Sequence, residues 1–201
     1  MKKELPINYQ PSTTEVERYI VIWNKDEWSF HSENGLKRLF EKVYPSNDNL
    51  EGVIIKCAAL NYIYYTNIFD VYSMAKHIFK LNIDERLNRE DLTLVNDIAH
   101  AKIGGESLFF YSFATKYCSH HRPETYPIYD RYVHNVLCCL QKRDKFSNFK
   151  DQDLRNYDIF VKAIQDFQKK YNLQHYSFKQ LDQYLWRLGK EYYGLNAQER
   201  K

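Results

Sequence analysis

Apolar side chains return every three or four residues along most of this chain, and no segment alternates apolar and polar residues long enough for a convincing strand. Val16, Tyr19, Ile20 and Trp23 make one such stripe, and Ser12 with Glu15, or Thr14 with Glu17, supplies a capping box for it. Leu36, Leu39, Phe40 and Val43 predict a second helix within 35–44, stopped by Pro45-Ser46-Asn47-Asp48-Asn49. The nearly continuous apolar run from Leu50 to Tyr65 contains alanines and is too long for an ordinary strand, so it reads as a buried helix. Further helices are expected over 68–80, over 88–101 with Asn88 as cap, and over 107–118. The last three are expected over 130–140, 153–171 and 177–193. The fold class is therefore all-α, with roughly nine or ten helices. They are expected in a single domain spanning 1–201, as one compact body or two helical lobes with a cleft, behind a tail of about 11 residues.

Composition narrows this further. Only 6 glycines and 5 prolines in 201 residues argue against a β-sandwich and against a disordered chain. A net charge of +3 does not by itself mark a nucleic-acid binder, which leaves the matter to local basic faces. Lys76, Lys102, Lys116, Arg122 and Arg131 are the basic residues nearest the stretches of interest, whereas Lys169-Lys170 read as a solvated face. The chain carries 18 tyrosines, which suit clefts and nucleic-acid faces as well as cores. No run approaches the ~20 apolar residues of a membrane span, and no apolar signal core follows Met1-Lys2-Lys3, so a cytoplasmic protein without a membrane partner is expected. Cys57, Cys118, Cys138 and Cys139 lack paired spacing and read as buried free thiols. Cys118, His120 and His121 have no second half of a zinc pattern, so neither a metal nor a cofactor is expected.

The chemistry concentrates between Gly104 and Leu140. Gly104-Gly105 is a permissive pair between two helical patterns, able to offer backbone N–H groups to a phosphate beside Lys102; an ordinary helix–helix turn is the plain alternative. Asp130 follows the turn Tyr126-Pro127-Ile128-Tyr129 and opens the next helix. Aspartate there is a favoured cap, and the same carboxylate could serve a glycosidic-bond reaction; the two roles are compatible.

Two segments resemble the helix-hairpin-helix DNA glycosylase superfamily, in a divergent form. Leu60 to Val71, running on to Ile78, is similar to the helix–turn–helix whose Leu-Ser-Gln-Gln-Thr-like turn feeds wedge residues into the duplex. Ile103-Gly104-Gly105, the helix after it, and Tyr126 to Val133 resemble the family's hairpin, following helix and Phe-Pro-Val-Asp-Thr-His-Val. The chain departs from the pattern in its adjacent glycines, in the extra Tyr129, and in having Glu106-Ser107 where strand-cutting members carry a lysine. It has no four-cysteine cluster pattern.

The resemblance implies a helix-hairpin-helix-like element near 98–118 and a monofunctional N-glycosidase acting on double-stranded DNA as a monomer. Asp130 would be the catalytic carboxylate, with Lys116 as a remote alternative through a Schiff base. Tyr62, Tyr65, Tyr126 and Tyr129 would line the pocket for a flipped base. Lys102, Gly104, Gly105, Thr66, Asn67 and Arg131 would contact DNA. The base is not specified, so repair and defence against base-modified phage DNA are both open. A non-catalytic DNA-binding module on the same fold, or an all-α interaction protein, is the competing expectation.

Overall fold

The structure, a computed structural model, describes residues 5–194. In chain order its helices begin with α1 (Thr13–Lys25), α2 (Glu27–Arg38), α3 (Leu50–Tyr64), α4 (Val71–Lys80), α5 (Ile83–Asn88) and α6 (Thr93–Ala99). Strands β1 (His100–Ile103) and β2 (Glu106–Phe109) follow, then α7 (Tyr111–His121), α8 (Arg131–Asp144), α9 (Tyr157–Lys170) and α10 (Phe178–Tyr193). The fold is all-α apart from this one small sheet among the described residues. None of the described helices is long and apolar enough to cross a membrane.

The chain divides into two compact units. A terminal unit is made of Met1–Asp26 with Tyr129–Lys201, and a central unit of Glu27–Ile128. In the terminal unit α10 is the axis against which α1 and α8 pack. Its Leu181, Tyr184, Leu185 and Leu188 are buried, because they recur at helical spacing behind the capping box of Ser177 and Gln180. Tyr19 of α1 lies against Tyr184, and Trp23 and Tyr132 meet Trp186 edge-on. Gly189 is what lets α8 come this close: a Cβ there would sit 2.6 Å from the Tyr132 carbonyl oxygen. Gly189→Ala is expected to cost about 1–3 kcal/mol through overpacking, read as a lower urea midpoint with unchanged m-value.

In the central unit α3 packs against α4 and α7, and α6 against α7. The α3 N-terminus is fixed by Asn49, whose Oδ1 accepts from the Gly52 N–H at 2.7 Å. The helix expected within 35–44 starts earlier, at Glu27, and its last turn, Leu39–Val43, widens to a π-helix. The helix expected over 88–101 is confined to α6, Thr93–Ala99: Asn88 ends the separate α5, Glu90 at φ 57 lies between the two, and residues 100–101 belong to β1. Asp91 rather than Asn88 serves the second piece, accepting from the Thr93 N–H at 3.0 Å.

The segment near 98–118 corrects a sequence expectation. Between α6 and α7 stands an antiparallel β-hairpin with Ile103 opposite Glu106 and His100 opposite Phe109, and α7 starts at Tyr111 rather than Ser107. Gly104 and Gly105 form its two-residue turn at φ 61 and 87. Paired positive φ angles suit the primed turns that match strand twist, so adjacent glycines favour a β-hairpin over a helical one. The Phe110 N–H to Ala99 carbonyl bond, 2.8 Å, closes the open end. Gly104 and Gly105 therefore stand at a hairpin tip and not at a helix N-terminus.

Candidate nucleic-acid interface

The turn after α3 is held in one shape by a single side chain. Asn61 donates to the Ile68 carbonyl at 3.0 Å, and its Oδ1 accepts from Thr66 Oγ1 and the Ile68 N–H, both at 2.9 Å. Tyr65 and Asn67 take left-handed backbone angles around it. This clamp turns apolar rings outward: Tyr65 is 70% exposed and Phe69 97% exposed. Tyr62 is also exposed, with Trp28 packed edge-on against it.

One step along the chain, α4 carries Ser73, Lys76, His77 and Lys80 at i, i+3, i+4 and i+7, which places them on one helix face. Strand β1 packs on α4 and contributes His100 and Lys102, two residues apart and so on one strand face. Together these six side chains line a cleft of about 460 Å³. No carboxylate lines it among the described residues. His77 Nε2 is 2.8 Å from the Asp97 carbonyl and His100 Nδ1 2.9 Å from the Asn96 carbonyl. A carbonyl only accepts, so those nitrogens carry the protons, and in the neutral rings the other nitrogens can only accept. The Ser73 hydroxyl donates to Asp70 Oδ2 at 2.6 Å, so the ammonium groups of Lys76, Lys80 and Lys102 are what suit this open hollow to an anion with several oxygens, of which a phosphodiester backbone is the extended form.

The residues singled out from sequence are distributed unevenly. Lys102 lies in the cleft, Gly104 and Gly105 are exposed at the hairpin tip, Tyr62 is in the last turn of α3, and Tyr65, Thr66 and Asn67 belong to the clamped turn. Tyr126 is enclosed, its hydroxyl donating to the Asp91 carbonyl at 3.1 Å; a ring with both faces in the core has none left for a base, so its stacking role falls. Lys116 is 2% exposed, donates to Ser112 Oγ at 2.6 Å and lies over the Tyr64 ring. An amine so enclosed does not reach a sugar carbon, and the Schiff-base role falls with it. In the terminal unit, Tyr129 is half-buried against Phe160 and His134. Asp130 caps α8, accepting from the Tyr132 N–H at 2.9 Å, and Arg131 is exposed with its guanidinium over Tyr132. Ser73, His77, Lys80 and His100 carry no sequence signal of their own, because their common face needs both the α4 register and strand β1.

A second polar constellation is internal. The Lys56 ammonium is fully enclosed and donates to the Tyr44 and Ser46 carbonyls and, at 2.6 Å, to Asn47 Oδ1. Asn47 also accepts from Tyr117 Oη at 2.6 Å and donates to Asp84 and His121. Burial holds His121 well below the usual imidazole range, so it stays neutral beside the lysine. This node ties the Pro45–Asn49 break to α3, α5 and α7, and thereby fixes the body on which α4 and the hairpin are mounted.

A family model, HI_0787_N, described as an N-terminal domain, matches residues 15–125, a span that holds the whole lysine cleft and ends before Asp130. An uncharacterized protein of Haemophilus influenzae is 47% identical over 143 residues, covering 71% of this chain and 68% of that protein. No solved structure matches the chain.

Proposed function

The chain belongs to the HI_0787_N family, and we propose that it binds double-stranded DNA through the lysine cleft of its central unit. The carrying observation is the meeting of Lys76 and Lys80 from α4 with Lys102 from β1 in one hollow without an acidic wall. Three ammonium groups so placed hold phosphates without reading sequence. The clamped turn before α4 adds Tyr65 and Phe69, exposed rings of the kind that wedge between base steps. Titrating a fluorescent duplex, and the same strand unpaired, with the full chain tests this. Saturable binding that favours the duplex is expected. No binding, or binding of the unpaired strand alone, rejects it.

Base removal is the second reading, in which Asp130 is the carboxylate of a helix-hairpin-helix glycosylase-like reaction. It is favoured by the place of Asp130, half-exposed at the start of α8 directly after the Pro127 turn. A fixed carboxylate there would stabilise the oxocarbenium-like transition state or activate water. With Lys116 enclosed, hydrolysis should stop at an abasic site without cutting the strand. Asp130→Asn separates chemistry from capping, because asparagine caps a helix about as well as aspartate. The variant is expected to keep the melting temperature within about a degree and to lose at least ~100-fold in base release from duplexes carrying modified bases. Unchanged release would remove Asp130 from the chemistry. No release by the wild-type chain from any modified duplex would leave DNA binding alone. Digests of cellular and phage DNA after incubation would then distinguish repair from defence.

A further inference from the structure

The terminal unit brings together three ligating side chains that the DNA reading does not use. His134 and Cys138 are four residues apart and share a face of α8, and Asp151 opens the 3-10 turn Asp151–Arg155 that follows this helix. Their ligating atoms all lie within 4.8 Å of one another. His134 Nε2 is 3.6 Å from Cys138 Sγ and 3.3 Å from an Asp151 carboxylate oxygen. We infer that His134, Cys138 and Asp151 are a binding site for a zinc-type divalent metal ion.

The geometry distinguishes this from a catalytic relay. A nucleophile–histidine–carboxylate relay uses both ring nitrogens, one for the thiol and one for the carboxylate. Here the thiol and the carboxylate converge on the same nitrogen, which in a neutral imidazole can donate to or accept from one partner only. The other nitrogen, Nδ1, faces Tyr129 Oη at 3.1 Å. A phenol oxygen can accept as well as donate, so Tyr129 can hold the ring proton on Nδ1, and in that tautomer the Nε2 lone pair points at the space between sulfur and carboxylate, the usual second contact of a metal-bound histidine. The two measured separations also fit. Tetrahedral zinc with ordinary bond lengths holds nitrogen and sulfur about 3.6 Å apart, and nitrogen and oxygen about 3.4 Å apart. A thiolate, a carboxylate and a neutral imidazole neutralise a dication, and the sulfur favours zinc over magnesium or calcium. His134 is mostly enclosed while Asp151 is exposed, so the fourth position opens to water on the aspartate side. Cys139 is one residue on, about 100° around the helix, and does not share the site.

Tag-free full-length protein, loaded with zinc or cobalt and freed of excess, tests the assignment by metal analysis and visible absorption. One equivalent per chain is expected, with a thiolate-to-cobalt charge-transfer band. Cys138→Ser should abolish the band, and it and the exposed Asp151→Asn should each weaken binding at least tenfold in competition with a chelating indicator. Cys139→Ser should leave both readouts unchanged. Substoichiometric loading, cobalt bound without the band, or a band lost in Cys139→Ser and kept in Cys138→Ser would overturn the site.

Discussion

Replacing Lys76 and Lys102 together by glutamate is expected to weaken duplex binding on the order of 100-fold at ~0.1 M salt. Both side chains are exposed, one on α4 and one on β1, so the substitution changes the cleft without touching the core. Each lysine set on a phosphate releases about one counterion, and the slope of log affinity against log salt should shrink by about two units when both are lost. The matched control is Lys169→Glu with Lys170→Glu in the last turn of α9, which alters net charge equally. If bulk charge were responsible, both pairs would weaken binding alike. The cleft reading expects the control to retain affinity within about threefold, since neither Lys169 nor Lys170 lines the cleft.

The largest loss of stability is expected at Asn47. Asn47→Ala would leave the enclosed Lys56 ammonium, the Tyr117 hydroxyl and the Asp84 carboxylate each short of a partner. Stripping partners from a buried charge network costs about 3–5 kcal/mol, measured as a lower urea midpoint. Lys56→Met should cost less, because it also removes the buried charge. Its signature is pH-dependent. Burial pushes the Lys56 ammonium down to about 8 from the ordinary 10.5, against the pull of Asp84. Between those values the unfolded chain binds more protons than the folded one, so the wild type gains stability relative to the variant as pH rises. The gain should be about 1.4 kcal/mol per pH unit across that window and vanish below it. A difference that stays flat from pH 8 to 10 would show that Lys56 keeps its ordinary affinity for protons. Taking the difference matters, because burial raises the Cys57 and Cys118 thiols and opposes the trend in both proteins.

Much of this fold was legible because it rests on local periodicity. Ser12 and Ser177 cap the helices that follow them, and Val16, Tyr19 and Trp23 are buried as their spacing implies. The hairpin was hidden by its size. Four-residue strands are too short to display alternation, and only the adjacent glycines carried the signal. Side-chain roles were less legible than elements. Nothing in Tyr126-Pro127 distinguishes a stacking ring from a core ring, since burial is decided by α5–α7 packing far along the chain. The lysine cleft is half visible in sequence: Lys76 and Lys102 stand beside the motif stretches, but Lys80, His77 and His100 join them only when β1 lies on α4. The triad at His134, Cys138 and Asp151 escaped notice for the same reason, because its third member arrives from a turn that sequence periodicity reads as a connection.

The salt dependence of duplex affinity bears most directly on the central claim. A labelled duplex of about 20 base pairs, titrated with the full chain at several salt concentrations, should give a log–log slope of roughly −2 to −3 from three lysine–phosphate contacts. The slope should fall to about −1 or less in the Lys76→Glu, Lys102→Glu protein. An affinity indifferent to salt, or a slope and affinity unchanged by the two substitutions, would contradict the assignment of the cleft to DNA.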